Sequence, residues 1–180
     1  MMFEPIHAFR AAEYQVKFAT CTWERERAHD LRRRVFCEEQ GIFAGDDRDA
    51  IDARAIPIVA LSMLGVVADD VVGTVRIHEE EPGLWWGSRL AVHADYRRVG
   101  ALGATLIRLA VSSAHAMGCH TFLAHVQVQN EELFRRMHWE SLEVVDLHGK
   151  PHLRMQADLA HYPPCSSPEA GFHALLRKAA

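Results

Sequence analysis

The sequence predicts a single α/β domain built on a mixed sheet with helices on both faces. Segments of period two and segments of helical period follow one another in the order β-α-β-β-β-α-β-α-β-β, the pattern of a helix-covered sheet. No internal repeat and no linker divides the 180 residues. An apolar share of 49% excludes wholesale disorder.

Residues 1–13 read as an N-terminal arm. Tyr14 to Thr20 alternates and is rich in strand formers, so it is the first strand. Thr22 is placed to cap a helix over Glu24 to Glu39, which carries Ala28, Leu31 and Val35 on one face and stops at Gly41. Ala44 to Asp49 is a polar loop. Ile56–Met63, Val71–His78 and Leu84–Val92 then read as three strands. At Arg98 the period changes: Leu102, Leu106, Leu109, Ala110 and Met117 follow helical spacing, and Gly118 ends the helix. Thr121 to Val128 is nearly all apolar, as a central strand is. A short helix over Asn130–His138 precedes two last strands, Leu142–Leu147 and His152–Asp158, joined by a turn at His148–Lys150. The domain therefore spans 14–162. Residues 163–180 begin with the breaker cluster Pro163 to Pro168 and continue, over Glu169 to Lys178, as a short docked helix or a flexible end.

Charge and composition remove several classes of function. Twenty Lys and Arg stand against 24 Asp and Glu, a net charge of −4, which argues against nucleic-acid binding through bulk charge. No apolar run approaches the ~18 residues of a membrane span; the longest, Ile56 to Val67, is broken by Pro57, Ser62 and Gly65. Met1 to Arg10 lacks the pattern of a signal peptide. The expectation is a cytoplasmic protein in which Cys21, Cys37, Cys119 and Cys165 stay reduced. The 12 histidines show no spacing of the His-Glu-x-x-His kind, so no metal is expected. No Gly-x-Ser-x-Gly elbow occurs.

The most informative stretch runs from Leu90 to Leu106. A strand ends, the pair Arg97-Arg98 comes next, and Gly100 and Gly103 open a helix. Such a turn leaves backbone N–H groups that the helix cannot use, at its positive end, where an anion is favoured. Tight packing is the other reading of a glycine-rich turn.

This run resembles motif A of the GNAT superfamily of acyl-coenzyme A-dependent N-acyltransferases, with Leu90-Ala91-Val92 as the strand end and Asp95-Tyr96-Arg97 as the turn. The two glycines stand one residue further apart than the motif spaces them. Three further stretches support the resemblance. Leu31 to Gly41 is similar to the first helix of a subgroup with Arg-x-x-Val-Phe-x-x-Glu-Gln. Val128 to Trp139 is similar to motif B, and Gly149 to Met155 to the subgroup's closing strand. The resemblance covers about residues 14 to 160.

The resemblance implies a mostly antiparallel GNAT-like sheet, with acetyl-CoA as the co-substrate. It implies that Leu90, Ala91 and Val92 line the pantetheine and that Arg97, Arg98, Val99, Gly100, Ala101, Leu102, Gly103 and Ala104 hold the diphosphate. By the same likeness, Asn130 and Phe134 contact the cofactor from motif B. Phe134 stands where the family often has a tyrosine that protonates the departing thiolate, and phenylalanine has no proton to give. Glu79, at the end of the third strand, is the candidate base. Glu80 and Glu81 share that run, whose other reading is a solvated acidic loop. His78 faces the opposite side of an ideal strand, so only one of the pair faces the cleft. Asp46, Asp47 and Asp49 attract a cationic amine or else cap a turn. The implied acceptor is the primary amine of a small molecule or peptide, attacked directly in a ternary complex, and the implied assembly is a homodimer. A non-catalytic acyl-CoA-binding domain is the second reading, supported by Phe134 and the irregular glycine loop.

Overall fold

The computed structural model describes residues 11–98 and 101–175. Eight strands form one sheet, in the order β6-β7-β5-β4-β3-β2-β1-β8. They are β1 (Glu13–Phe18), β2 (Ile56–Leu64), β3 (Val67–Glu81), β4 (Leu84–Val92), β5 (Thr121–Gln127), β6 (Trp139–Leu147), β7 (Lys150–Ala157) and β8 (Phe172–Leu175). Neighbours pair antiparallel except β4 and β5, which run parallel. The intervening helix α2 (Leu102–Ala116) makes that crossover, as a parallel pair requires.

Alternation along the strands divides the core in two. Tyr14, Val16, Ile58, Ala60, Val75 and Ile77 face α2 and α3 (Glu131–Arg136) on one side of the sheet. Val59, Leu61 and Ala91 face α1 (Thr22–Arg33) on the other, against Ala28, Leu31, Val35 and Phe36. Gly73 sits where α2 crosses β3, and a Cβ there would stand 2.9 Å from Leu106 Cδ1.

Several boundaries differ from the sequence reading, each for a local reason. The first helix is capped from Cys21 rather than Thr22, because Glu24 reaches back to accept from the Thr20 and Cys21 amides at 2.7 and 3.2 Å. It keeps α geometry only to Arg33 and widens into a π-helical turn over Arg34–Glu39. β3 extends past both expected ends, because its hairpins with β2 and β4 continue the ladder over polar residues. α2 starts at Leu102 rather than Arg98. The tail is corrected most. Phe172–Leu175 is a strand paired with β1, not a helix or a loose end. Gly171, at φ 64°, permits it: a Cβ there would meet Val16 O at 1.9 Å. The four cysteines are unpaired. Among the described residues no helix is long and apolar enough to cross a membrane.

Candidate active site

The site begins where the parallel pair comes apart. β4 and β5 pair only over Leu84–Gly87 and Thr121–Ala124. β4 continues to Val92 against β3 alone, and β5 continues to Gln127 against β7 alone. The β5-facing backbone of Ser88–Val92 therefore has no strand partner among the described residues, and such an edge seeks hydrogen bonds. A cleft of about 620 Å³ fills the gap and reaches both faces of the sheet.

A bulge helps to open it. Between the pairs Thr74–Ala91 and Arg76–Ser88, β3 has one residue and β4 has two. Arg89 takes a left-handed φ of 57°, a strained state for a side chain of its size. Ser88 and Arg89 thereby both turn to the α1 side. Ser88 Oγ accepts from Arg76 Nε at 2.9 Å. The Arg89 guanidinium lies 4.4 Å over the Phe43 ring and binds Asp47 and Asp49 at 3.0 and 3.2 Å.

That contact belongs to a larger ion network. Arg32 binds Asp47 and Asp52, each at 2.7 Å. Arg76 grips Asp49 through both oxygens, at 2.7 and 2.8 Å, and reaches Asp52 at 2.8 Å. Three arginines thus neutralise three aspartates, tying α1, the 46–52 segment, β3 and β4 together. Asp49 lies well below the usual carboxylate range because Arg76 hydrogen-bonds it. Asp52 lies lower still: burial pushes it up, but the bonds from Arg32 and Arg76 outweigh burial. The loop expected to attract a cation is already occupied by cations, and of its three acids only Asp46 is free of an arginine from another element among the described residues.

On the α1 face, Arg76, His78 and Glu80 from β3 line the cleft with Trp86, Ser88 and His125. His78 is 5% exposed; its Nε2 lies 3.2 Å from Glu80 Oε2, and its Nδ1 is buried with no hydrogen-bond partner among the described residues. Burial pushes the His78 pKa down, and the Glu80 bond only partly offsets this. Arg54 holds Glu80 at 2.7 Å and keeps it ionised. With Nε2–H donated to Glu80, Nδ1 carries a free lone pair. Glu79, the candidate base, lies elsewhere. It is exposed, outside the cleft lining, and its Oε1 accepts from the Gly83 amide at 2.8 Å, closing the β3–β4 turn. Of the alternating pair, His78 faces the cleft.

The other expected residues are divided between cleft, core and surface. Leu90, Asn130 and Phe134 line the cleft. Ala91 is buried on the α1 side, and Val92 packs on the α2 side. Arg97 is engaged: Nε donates to Val92 O at 3.0 Å and the guanidinium pairs with Glu39. Arg98 is exposed. Val99 and Gly100 lie outside the described residues. Ala101 caps α2 with a left-handed φ of 51°, and no side chain caps the helix. The first turn of α2 carries no acidic residue, so the amides of Leu102, Gly103 and Ala104 face an uncontested positive helix end. Sequence reasoning missed Arg76, His78, Trp86 and His125. The alternation Arg76-x-His78-x-Glu80 against Val75 and Ile77 was the available signal for the first two.

Residues 20–139 match the sequence model of the acetyltransferase (GNAT) family. Among solved structures the chain is similar to a Lactobacillus plantarum protein assigned as an N-acetyltransferase (22% identity, 80% of this chain and 97% of that one, TM-score 0.71). It is also similar to Escherichia coli ElaA (18% identity, 81% and 98%, TM-score 0.67). An acyl-CoA N-acyltransferase from Pseudomonas aeruginosa gives 18% identity over 81% and 99%, with a TM-score of 0.62. At these identities the likeness is one of fold. No curated protein sequence gives a significant match.

Proposed function

The chain belongs to the GNAT acetyltransferase family, and from that premise we propose that it transfers an acyl group from acyl-CoA to the primary amine of a small molecule or peptide. The observation that carries this reading is the unpartnered Ser88–Val92 edge, which leads from the cleft to the uncapped amino end of α2. An extended pantetheine amide chain pairs with such an edge, and a diphosphate suits such a helix end. Leu102, Gly103 and Ala104 supply the amides, with Arg98, Val99, Gly100 and Ala101 beside them. Arg97 joins them on release from Glu39, and Asn130 and Phe134 flank the arm.

The acceptor amine enters on the α1 face, in a ternary complex. Its neutral nitrogen attacks the thioester carbon and gives its proton to Nδ1 of His78. Glu80 acts as a positioning residue: it fixes the tautomer through Nε2 and stabilises the imidazolium as it forms. The tetrahedral intermediate then collapses with cleavage of the C–S bond. The thiolate takes its proton from solvent, since Phe134 has none to give. A second reading, acyl-CoA binding without catalysis, draws on that same phenylalanine.

Two measurements test the proposal in sequence. CoA at saturation raises the melting temperature if the nucleotide site is as argued; no shift removes both readings. Thiol release from acyl-CoA with a panel of amines then separates enzyme from binder. With an active acceptor, His78→Gln lowers kcat by about 10²- to 10⁴-fold and leaves the CoA shift in place. Glu79→Gln leaves kcat unchanged; the reverse pattern would return the base to Glu79.

A further inference from the structure

The cleft has two unlike halves. The α1 half is polar, with Arg76, His78, Glu80 and Ser88 on its walls. The α2 half is walled by Ile107, Ala110, Val111, Phe122, Phe134 and Trp139, contributed by α2, β5, α3 and β6. All six belong to the main core and are at most 6% exposed. Core side chains normally close on one another and leave few voids larger than a water molecule. These line a cavity instead.

None of the six side chains offers it a hydrogen bond. Trp139 is the only one with an N–H, and that group donates to Tyr162 Oη at 2.9 Å. Phe134 packs edge-on against Trp139 at 5.0 Å, and Trp139 against Phe122 at 5.8 Å, so the end wall is aromatic. A cavity lined in this way does not hold ordered water well and takes an apolar guest.

The way in lies between the two halves. Gly87 and Ala124 are the last paired residues of β4 and β5, and both line the cleft. A Cβ at Gly87 would stand 3.0 Å from Phe122 Cε1 and 3.2 Å from Cζ. Glycine on one side and alanine on the other thus leave a passage at the point where the sheet parts. A thioester held on the Ser88–Val92 edge has its acyl carbon at the head of that edge, beside this passage.

We propose that the α2 half of the cleft is an acyl-chain chamber and that the donor carries a medium-length hydrocarbon acyl group rather than acetyl. The inference rests on the acyl-CoA reading above and names the acyl class for that site. The chain runs from the thioester through the passage at Gly87 and Ala124 and ends against Phe122, Phe134 and Trp139. An acetyl methyl would fill only the entrance and leave the apolar walls without contacts.

Thioether analogues test this without knowledge of the acceptor. Binding of CoA, S-ethyl-CoA and S-octyl-CoA is measured by calorimetry on the full chain. The octyl analogue binds at least about tenfold tighter than the other two, since each methylene received by an apolar pocket adds to affinity. Ala110→Phe fills the chamber and abolishes the octyl advantage while CoA itself binds as before; Ala110→Leu, a smaller intrusion, reduces it. An octyl ratio within about twofold of ethyl in the natural protein overturns the chamber, and that ratio alone decides if both variants fail to fold. An octyl advantage that survives intact in a folded Ala110→Phe also overturns it, because the chain then lies elsewhere. Failure of all three ligands to bind refutes instead the acyl-CoA reading beneath it.

Discussion

His78 is buried without being buried apolar. One ring nitrogen has a carboxylate, the other has no partner among the described residues, and the ring borders the cleft. Its pKa is depressed from the ordinary 6.5 by burial first, with the charges of Arg54 and Arg76 adding to the shift and Glu80 opposing it. A base works in its neutral form, so activity persists below pH 6.5, and the acid limb of kcat/KM falls at the depressed value. Glu80→Gln removes the opposing influence. Its acid limb moves to still lower pH and its kcat drops, a pair of effects that a merely structural role would not produce. A limb that moves upward, or not at all, removes His78 from the mechanism. Ala101 offers a separate test of strain at this scale. Its φ of 51° costs an L-residue about 1–2 kcal/mol that glycine does not incur. Ala101→Gly therefore raises the unfolding free energy by about 1 kcal/mol in a urea titration, with the extra chain entropy of glycine taking back part of the gain.

Elements marked by local chemistry were the legible ones. Leu84–Val92 is read from the sequence at its true limits, since Pro82-Gly83 opens it and the Ala94–Tyr96 turn comes closely after. Helix α2 is legible from its spacing, though its start is not, because the Arg97-Arg98 segment is a turn and not yet helix. The π-helical end of α1 was hidden: widening by one residue per turn leaves the apolar spacing of Val35 and Phe36 almost unchanged. β8 was hidden more deeply, because four residues carry no period and its partner β1 lies more than 150 positions earlier. What holds β8 in place is backbone approach at Gly171. Gly171→Ala cannot keep Val16 O at 1.9 Å from its new methyl, so the strand undocks. The expected result is a loss of about 1–3 kcal/mol and faster amide exchange along β1, with kcat unchanged because β8 and β1 lie on the far side of β2 and β3 from the cleft. The same contrast governs the site. The glycine-rich turn is a local pattern and could be read, whereas the pairing of Arg76 with Asp49, or the emptiness around His78 Nδ1, depends on contacts that no sequence spacing encodes.

At the scale of the molecule, the ion network and the buried histidines make the fold sensitive to acid in two stages. His29, His78 and His125 all have pKa values depressed, in each case by burial first. Unfolding frees them to titrate at the ordinary 6.5, so between that pH and their lower folded values the unfolded chain binds more protons. Their contribution to stability is complete above pH 6.5 and is lost as pH falls through the folded values. Asp49 and Asp52 act lower. Their folded pKa values lie below the ordinary 3.8, so the stability they confer is present above that pH and disappears as pH falls through the depressed values. Urea midpoints measured against pH should therefore fall once below pH 6.5 and again below pH 3.8. The second fall should bring the greater loss of structure, because protonating those carboxylates strands Arg32 and Arg76, at 5% and 3% exposure, in the protein interior. Asp52→Asn lowers stability at neutral pH and flattens the second fall while leaving the first. A single featureless decline shared by the natural protein and this variant would show that the network does not set the acid limit. The two stages also separate function from fold: in the upper window the base is lost to protonation while the arginine–aspartate frame that shapes the cleft still stands.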